Sequence, residues 1–190
     1  MKKKITRREE SLLTLLEIIA ERGIQDAPMS LVAERSGIAI GTIYHHFKSK
    51  DEMVEALYCH LKAEMGDALN KNVVVTDTIK QQYFTYWHNL YKFYRKNAST
   101  FYFLEQCDKH PIVSASVKEA NFIHYGHIYN FLETGMKAGV LRKMDTELML
   151  SFIYGTVVST VHAVLNGRIN GQKAAVEQVC QSSWDGVKIN

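Results

Sequence analysis

Proline stands at only two of 190 positions, 28 and 111, and no stretch sustains the apolar–polar alternation that a half-buried strand needs. Such a chain is free to run in long helices, and its apolar spacing is helical. Leu12, Leu16, Ile19 and Ala20 recur at three to four residues on a segment that closes at Arg22-Gly23, a basic last turn followed by glycine. The fold class is therefore all-α. Pro28 suits a first helical position and opens a second helix, with Val32-Ala33 as its buried face and Gly37 as its stop. Ile38, Ile43 and Phe47 space a third. Ser49-Lys50-Asp51-Glu52 then forms a capping box for a fourth helix through Met53, Leu57, Leu61, Met65 and Leu69. Longer helices are expected at 76–96, 98–108, 112–138, 145–166 and 172–187, opened by Pro111 and Asp145 and closed by Gly139.

Apolar residues at 46% and charged residues at 23% describe a globular chain, so a fibrous or largely disordered class is excluded. Nothing approaches eighteen consecutive apolar residues, and Met1-Lys2-Lys3-Lys4 is followed by more charge. No membrane partner, no secretory signal and a cytoplasmic location are therefore expected. Three cysteines without C-x-x-C spacing read as reduced thiols. The net charge of +3 is entirely N-terminal: residues 1–50 carry nine Lys or Arg against six acids, and residues 51–190 carry equal numbers of each. Eighteen of the twenty aromatic residues fall in that balanced part. The chain is thus expected to divide into a polyanion-binding portion, 1–50, and a pocket or interface portion, 51–190.

Two short helices, Ser30 to Gly37 and Ile40 to Phe47, joined by a tight glycine turn, have the layout of a helix-turn-helix whose second helix enters a DNA major groove. Its residues suit that task. Ile40 can touch a thymine methyl, Gly41 permits close backbone approach, Thr42 and Tyr44 offer hydroxyls, and His45 and His46 offer ring nitrogens. Lys48 and Lys50 flank it as phosphate charges. A core helical hairpin with a solvated basic rim would show the same spacing. The stretches Ile18-Ile19-Ala20-Glu21-Arg22-Gly23, Val32-Ala33-Glu34-Arg35-Ser36-Gly37-Ile38 and Gly41-Thr42-Ile43-Tyr44-His45-His46-Phe47-Lys48-Ser49-Lys50-Asp51 resemble the N-terminal domain of the tetracycline-repressor (TetR) family of bacterial regulators. That resemblance covers residues 8 to about 57. It implies that Ile40, Gly41 and His45 face base edges and that Thr42, Tyr44, His46 and Lys50 hold phosphates. Ala27-Pro28 stands where the family has a capping threonine, which leaves Ser30 to supply that phosphate contact.

Residues 83–103 hold ten aromatic residues. Tyr83, Trp87, Tyr91 and Tyr94 share one helix face, while Phe84, Tyr86 and Phe93 point elsewhere, which is more than one core stripe requires. A large aromatic core accounts for most of them, and a subset can line a cavity. The resemblance implies an effector cavity in this part of the chain. Its candidate residues are Trp87, His88, Tyr91, Phe103, Glu105, Cys107, His124, Tyr125 and His127. The expected ligand is largely apolar, neutral or singly cationic, with Glu105 and cation–π contact available for a cation. His124 and His127 are spaced i, i+3 but lack the companions of a metal motif, so no metal or other cofactor is expected. No nucleophile elbow, phosphate-cradling loop or paired acid–base carboxylates is present, so no catalytic residue is assigned.

Ser151, Gly155, Ser159, Ala163 and Gly167 make a ridge of small residues with period four, suited to close helix packing across a dimer axis with Val158, His162, Leu165, Val176 and Val179 around it. The sequence thus reads as an N-terminal three-helix helix-turn-helix followed by a helical ligand-binding and dimerisation domain. The expected function is a homodimeric repressor that binds double-stranded operator DNA and is released by a small-molecule effector through the fourth helix. An intracellular helical carrier or enzyme is the alternative.

Overall fold

Helix α1, Arg7–Arg22, begins at a capping box that joins Thr6 to Glu9 and ends at Gly23, whose N–H donates to the Ile19 carbonyl at a φ of 83°. The structure, a computed structural model, describes residues 5–189; Lys2, Lys3 and Lys4 of the basic N-terminus lie outside the described residues. There follow α2 Met29–Ser36, α3 Ile40–His46, α4 Lys50–Leu69, α5 Ile79–Lys96, α6 Ala98–Lys109, α7 Ala115–Ala120, a 3-10 turn Asn121–His124, α8 His127–Lys137, α9 Thr146–Leu165 and α10 Lys173–Val187. Among the described residues the only extended pairing is an isolated bridge between Leu141 and Lys188. The chain is all-α.

It divides into two compact units, Met1–Ala63 with Ser99–Asn121, and Glu64–Ala98 with Phe122–Asn190. The first unit has its core in α1 to α4. Leu12, Leu15, Ile18, Val32, Ile43 and Leu57 are almost fully buried, and each contributes about 1.5–3 kcal/mol of gross hydrophobic stabilisation. Ala20, counted on the apolar face of α1, is exposed, and Leu15 and Ile18 take its place. Pro28 caps α2 instead of occupying its first turn, with an extended ψ of 151°. Residues 99–121 join this unit through polar ties to α4. The Ser114 N–H donates to the Glu55 carboxylate at 3.0 Å, and hydrogen bonding from the Ser114 side chain, then from its backbone, holds that carboxyl below its usual pKa, while Asn121 donates to Cys59 Sγ at 3.2 Å.

In the second unit α5 packs against α9 and α10. Its capping box is Thr78 with Gln81, and its buried stripe is Tyr83, Trp87, Tyr91 and Tyr94. The single helix expected at 112–138 is broken into α7, a 3-10 turn and α8. Pro111 lies in the turn before α7, whose cap is Ser114. Close contacts, one local and one long-range, accompany the break. A Cβ at Gly126 would lie 2.5 Å from the Phe122 ring, and one at Gly66 would lie 2.7 Å from the His124 carbonyl oxygen. The chain folds back tightly at 122–126 against α4, a contact that helical periodicity does not encode.

Candidate nucleic-acid interface

The turn between α2 and α3 is set by Gly37, which is left-handed at φ 67° and ψ 15°. Ser36 tightens it, donating to the Val32 carbonyl at 2.7 Å and accepting from the Ile38 N–H at 3.3 Å. Ile38, Ile43 and Phe47 are buried and fix which side of α3 faces the core. The opposite side is open: Ile40 is 42% and Tyr44 49% exposed, and Gly41 and His45 are exposed beside them. Thr42 and His46 are half-buried at the edges of this face. Large apolar surface in that position is unusual for a helix with no further neighbour.

Gly41 has no internal reason to be glycine. Its φ is not positive, and a Cβ there would meet nothing within 4 Å. Ser30 is exposed in the first turn of α2, and Lys48 is exposed beyond α3. The start of α4 is held by Glu52, whose N–H donates to Ser49 Oγ and whose carboxylate accepts from the Lys48 N–H, one residue earlier than a capping box prescribes. Lys50 is half-buried and donates from Nζ to the Gln25 carbonyl at 2.9 Å, so its ammonium is anchored over the loop between α1 and α2.

The nine effector candidates divide between the units. In the second, Trp87 stacks on Tyr91 at 5.7 Å and donates from Nε1 to Thr156 Oγ1 at 3.0 Å. His88 Nε2 lies 3.0 Å from the Glu177 carboxylate on α10. Tyr125 packs edge-on to Phe122, and His124 lies in the 3-10 turn. His127 opens α8 with its Nε2 buried and unpartnered, and desolvation lowers its pKa. The break between His124 and His127 removes the shared helix face expected of them, and among the described residues no group of three or more His, Cys, Asp or Glu is placed to hold a metal.

In the first unit Phe103 and Cys107 are buried, and burial pushes the Cys107 thiol up to about 12. Glu105 pairs with Lys109 at 2.6 Å. Sequence reasoning missed Lys62, which lies in the middle of α4, where a charged residue reads as solvated surface. It is only 6% exposed, faces Asp108 at 3.6 Å and the Tyr58 ring at 5.2 Å, and has its pKa lowered by desolvation against the pull of Asp108.

The small-residue ridge runs along the outside of α9. Ser151, Ser159 and Gly167 are exposed, Gly155 and Ala163 are half-buried, and a Cβ at Gly155 would meet nothing within 4 Å. Val176, expected beside the ridge, is instead packed inside the unit at 4% exposure. With a mean hydropathy of 1.7 over eighteen residues, α9 is long and apolar enough to cross a membrane, although Ser, Thr, Gly and His interrupt it. A count of uninterrupted apolar residues does not register a helix of this composition. Only 22% of that window is buried.

Residues 12–57 match the family described as bacterial regulatory proteins, tetR family, and residues 58–189 match the tetracyclin repressor-like C-terminal domain. An HTH-type transcriptional regulator of Haemophilus influenzae is 22% identical over 171 residues, 90% of each chain. The fatty acid metabolism regulator protein of Bacillus subtilis is 22% identical over 164 residues, 85% of this chain and 84% of that one. A tetR family regulator from Shewanella sp. PV-4 has the same fold, with a TM-score of 0.87 at 23% identity over 97% of this chain and 100% of that one. An exposed recognition helix on a glycine-turned helix pair, with the family matched over residues 12–189, places this protein in the TetR family of DNA-binding transcriptional regulators and outside the enzymes.

Proposed function

We propose that this chain is a homodimeric, cytoplasmic repressor whose α3 enters the major groove of palindromic operator DNA and which a small, largely apolar effector releases. The observation that carries the DNA reading is the outward face of α3, where exposed Ile40 and Tyr44 flank a Gly41 that nothing inside the fold requires. In this reading Ile40, Gly41 and His45 meet base edges. Thr42, Tyr44, His46, Lys48, Lys50 and Ser30 hold phosphates and set the register.

Pairing is supported by α9, whose apolar surface is largely unburied and carries a ridge of small residues. A second copy covers such a surface, and a two-fold axis presents two recognition helices to two half-sites. An apolar effector is supported by the aromatic content of α5 and by the Bacillus subtilis relative, a regulator of fatty acid metabolism. Release then follows from linkage: an effector that favours a dimer geometry with wrongly spaced recognition helices weakens DNA binding by the factor by which DNA weakens its own.

The test is salt-dependent binding to the DNA upstream of the gene and its neighbours. Specific binding to a palindrome with a steep log–log salt slope is expected. Binding that is equally tight on unrelated duplexes would remove the operator reading.

A further inference from the structure

His127 Nε2 is a buried polar atom that no group in its own unit satisfies. Such atoms are rare in folded proteins because the lost hydration is not replaced, and a functional partner is one of the few explanations. The His127 ring lies 5.8 Å from the Tyr86 ring of α5, and Tyr86 in turn lies 5.2 Å from Phe131, one turn further along α8. Among the described residues the Tyr86 hydroxyl makes no hydrogen bond either, and desolvation alone raises its pKa. One orphaned polar atom, His127 Nε2, and one half-buried hydroxyl with no protein partner, that of Tyr86, therefore stand beside an apolar ring, on helices of one unit.

We infer that Tyr86 and His127 are the polar contacts of the effector site, and that the effector is an uncharged, mostly apolar molecule carrying one hydroxyl group. The assignment rests on the reading of the chain as an effector-released regulator. A hydroxyl fits because it both donates and accepts, so it satisfies Nε2 in either imidazole tautomer and still has capacity for the Tyr86 oxygen. A carboxylate fits badly. Desolvation favours the neutral imidazole, which brings no charge to balance an anion. The Phe131 ring supplies the apolar wall. Glu105, considered for a cationic effector, is already paired with Lys109.

The full-length protein, labelled with 15N-histidine, is titrated with 2-naphthol, naphthalene and 2-naphthoate. Binding is followed by calorimetry and by the His127 imidazole nitrogen shifts. We expect 2-naphthol to bind about tenfold more tightly than either analogue and to move the Nε2 resonance, with the preference lost in His127→Leu. Tyr86→Phe removes a single oxygen and keeps the ring; it is expected to reduce the preference without abolishing it, and it serves should His127→Leu fail to fold. Equal affinities, tighter binding of the naphthoate, no binding of any of the three, or a preference unchanged in both variants overturns the assignment. So does an Nε2 resonance that 2-naphthol leaves unmoved, which reports an ordered water only. None of these measurements uses DNA. Failure here therefore leaves operator binding standing, and absent operator binding sinks the regulator reading on its own.

Discussion

The Tyr83 hydroxyl and Ser183 Oγ lie 2.6 Å apart in the buried interior, and the direction of the proton between them is fixed by their neighbours. Thr156 donates to the Ile153 carbonyl, so its oxygen can only accept from Trp87 Nε1 and from Ser183. The Ser183 proton thus points to Thr156, and Tyr83 must donate to Ser183. Tyr83, Ser183 and Thr156, on α5, α10 and α9, form one directed chain, and Trp87 donates into its Thr156 end.

That direction makes the two ends unequal. Ser183→Ala strands a buried tyrosine donor and should destabilise the fold by about 1–3 kcal/mol, whereas Tyr83→Phe leaves only an acceptor short of a partner and should cost about 0.5–1.5 kcal/mol. Urea denaturation of both variants orders them. A larger loss for Tyr83→Phe would reverse the proton assignment.

Gly41→Ala separates stability from DNA binding. A Cβ at this position meets nothing within 4 Å and relieves glycine's helix penalty, so thermal stability should hold or rise by up to about 1 kcal/mol. The same methyl group stands where α3 is proposed to approach base edges, so operator affinity should fall. A variant that binds operator as tightly as the parent would show that this part of the helix does not touch DNA.

The helix-turn-helix was legible because its determinants are local. Gly23 and Gly37 stop helices where their φ is positive, and Ile38, Ile43 and Phe47 face the core at the spacing the sequence shows. The break at 121–126 was not legible, because the close approach of Gly66 to the His124 carbonyl accompanies it, a long-range contact made only after folding. Lys62 was missed for a related reason: the partners that allow its burial, Asp108 and the Tyr58 ring, cannot be seen from α4's own periodicity. Trp87 changes meaning as well. It is 2% exposed and bonded to Thr156, so Trp87→Ala should open a cavity costing about 3–5 kcal/mol, and it is a poor variant for isolating effector response.

Gly155→Leu tests pairing through α9. A Cβ at this position meets nothing within 4 Å of its own chain, so the protomer should fold. Across the proposed dimer axis it overpacks a close helix contact, which should weaken association by about 1–3 kcal/mol. Sedimentation equilibrium reads the change in dissociation constant. An unchanged dimer would put the ridge outside the interface.

His127 gives the pH dependence. Desolvation lowers its pKa in the folded chain below the ordinary value of 6.5, so between the two values the unfolded chain holds more protons than the folded one. Stability contributed through this group therefore rises with pH across that interval, is fully present above pH 6.5, and is lost on acidification through it. Compared with His127→Leu, the parent should lose stability on going from pH 7.5 to about pH 5, while the leucine variant lacks this component. Paired denaturation curves at the two values isolate the difference, since every other titrating group is shared. If the two proteins respond identically, the imidazole is as well solvated in the folded chain as in the unfolded one, and the burial of Nε2 on which the effector assignment depends is wrong.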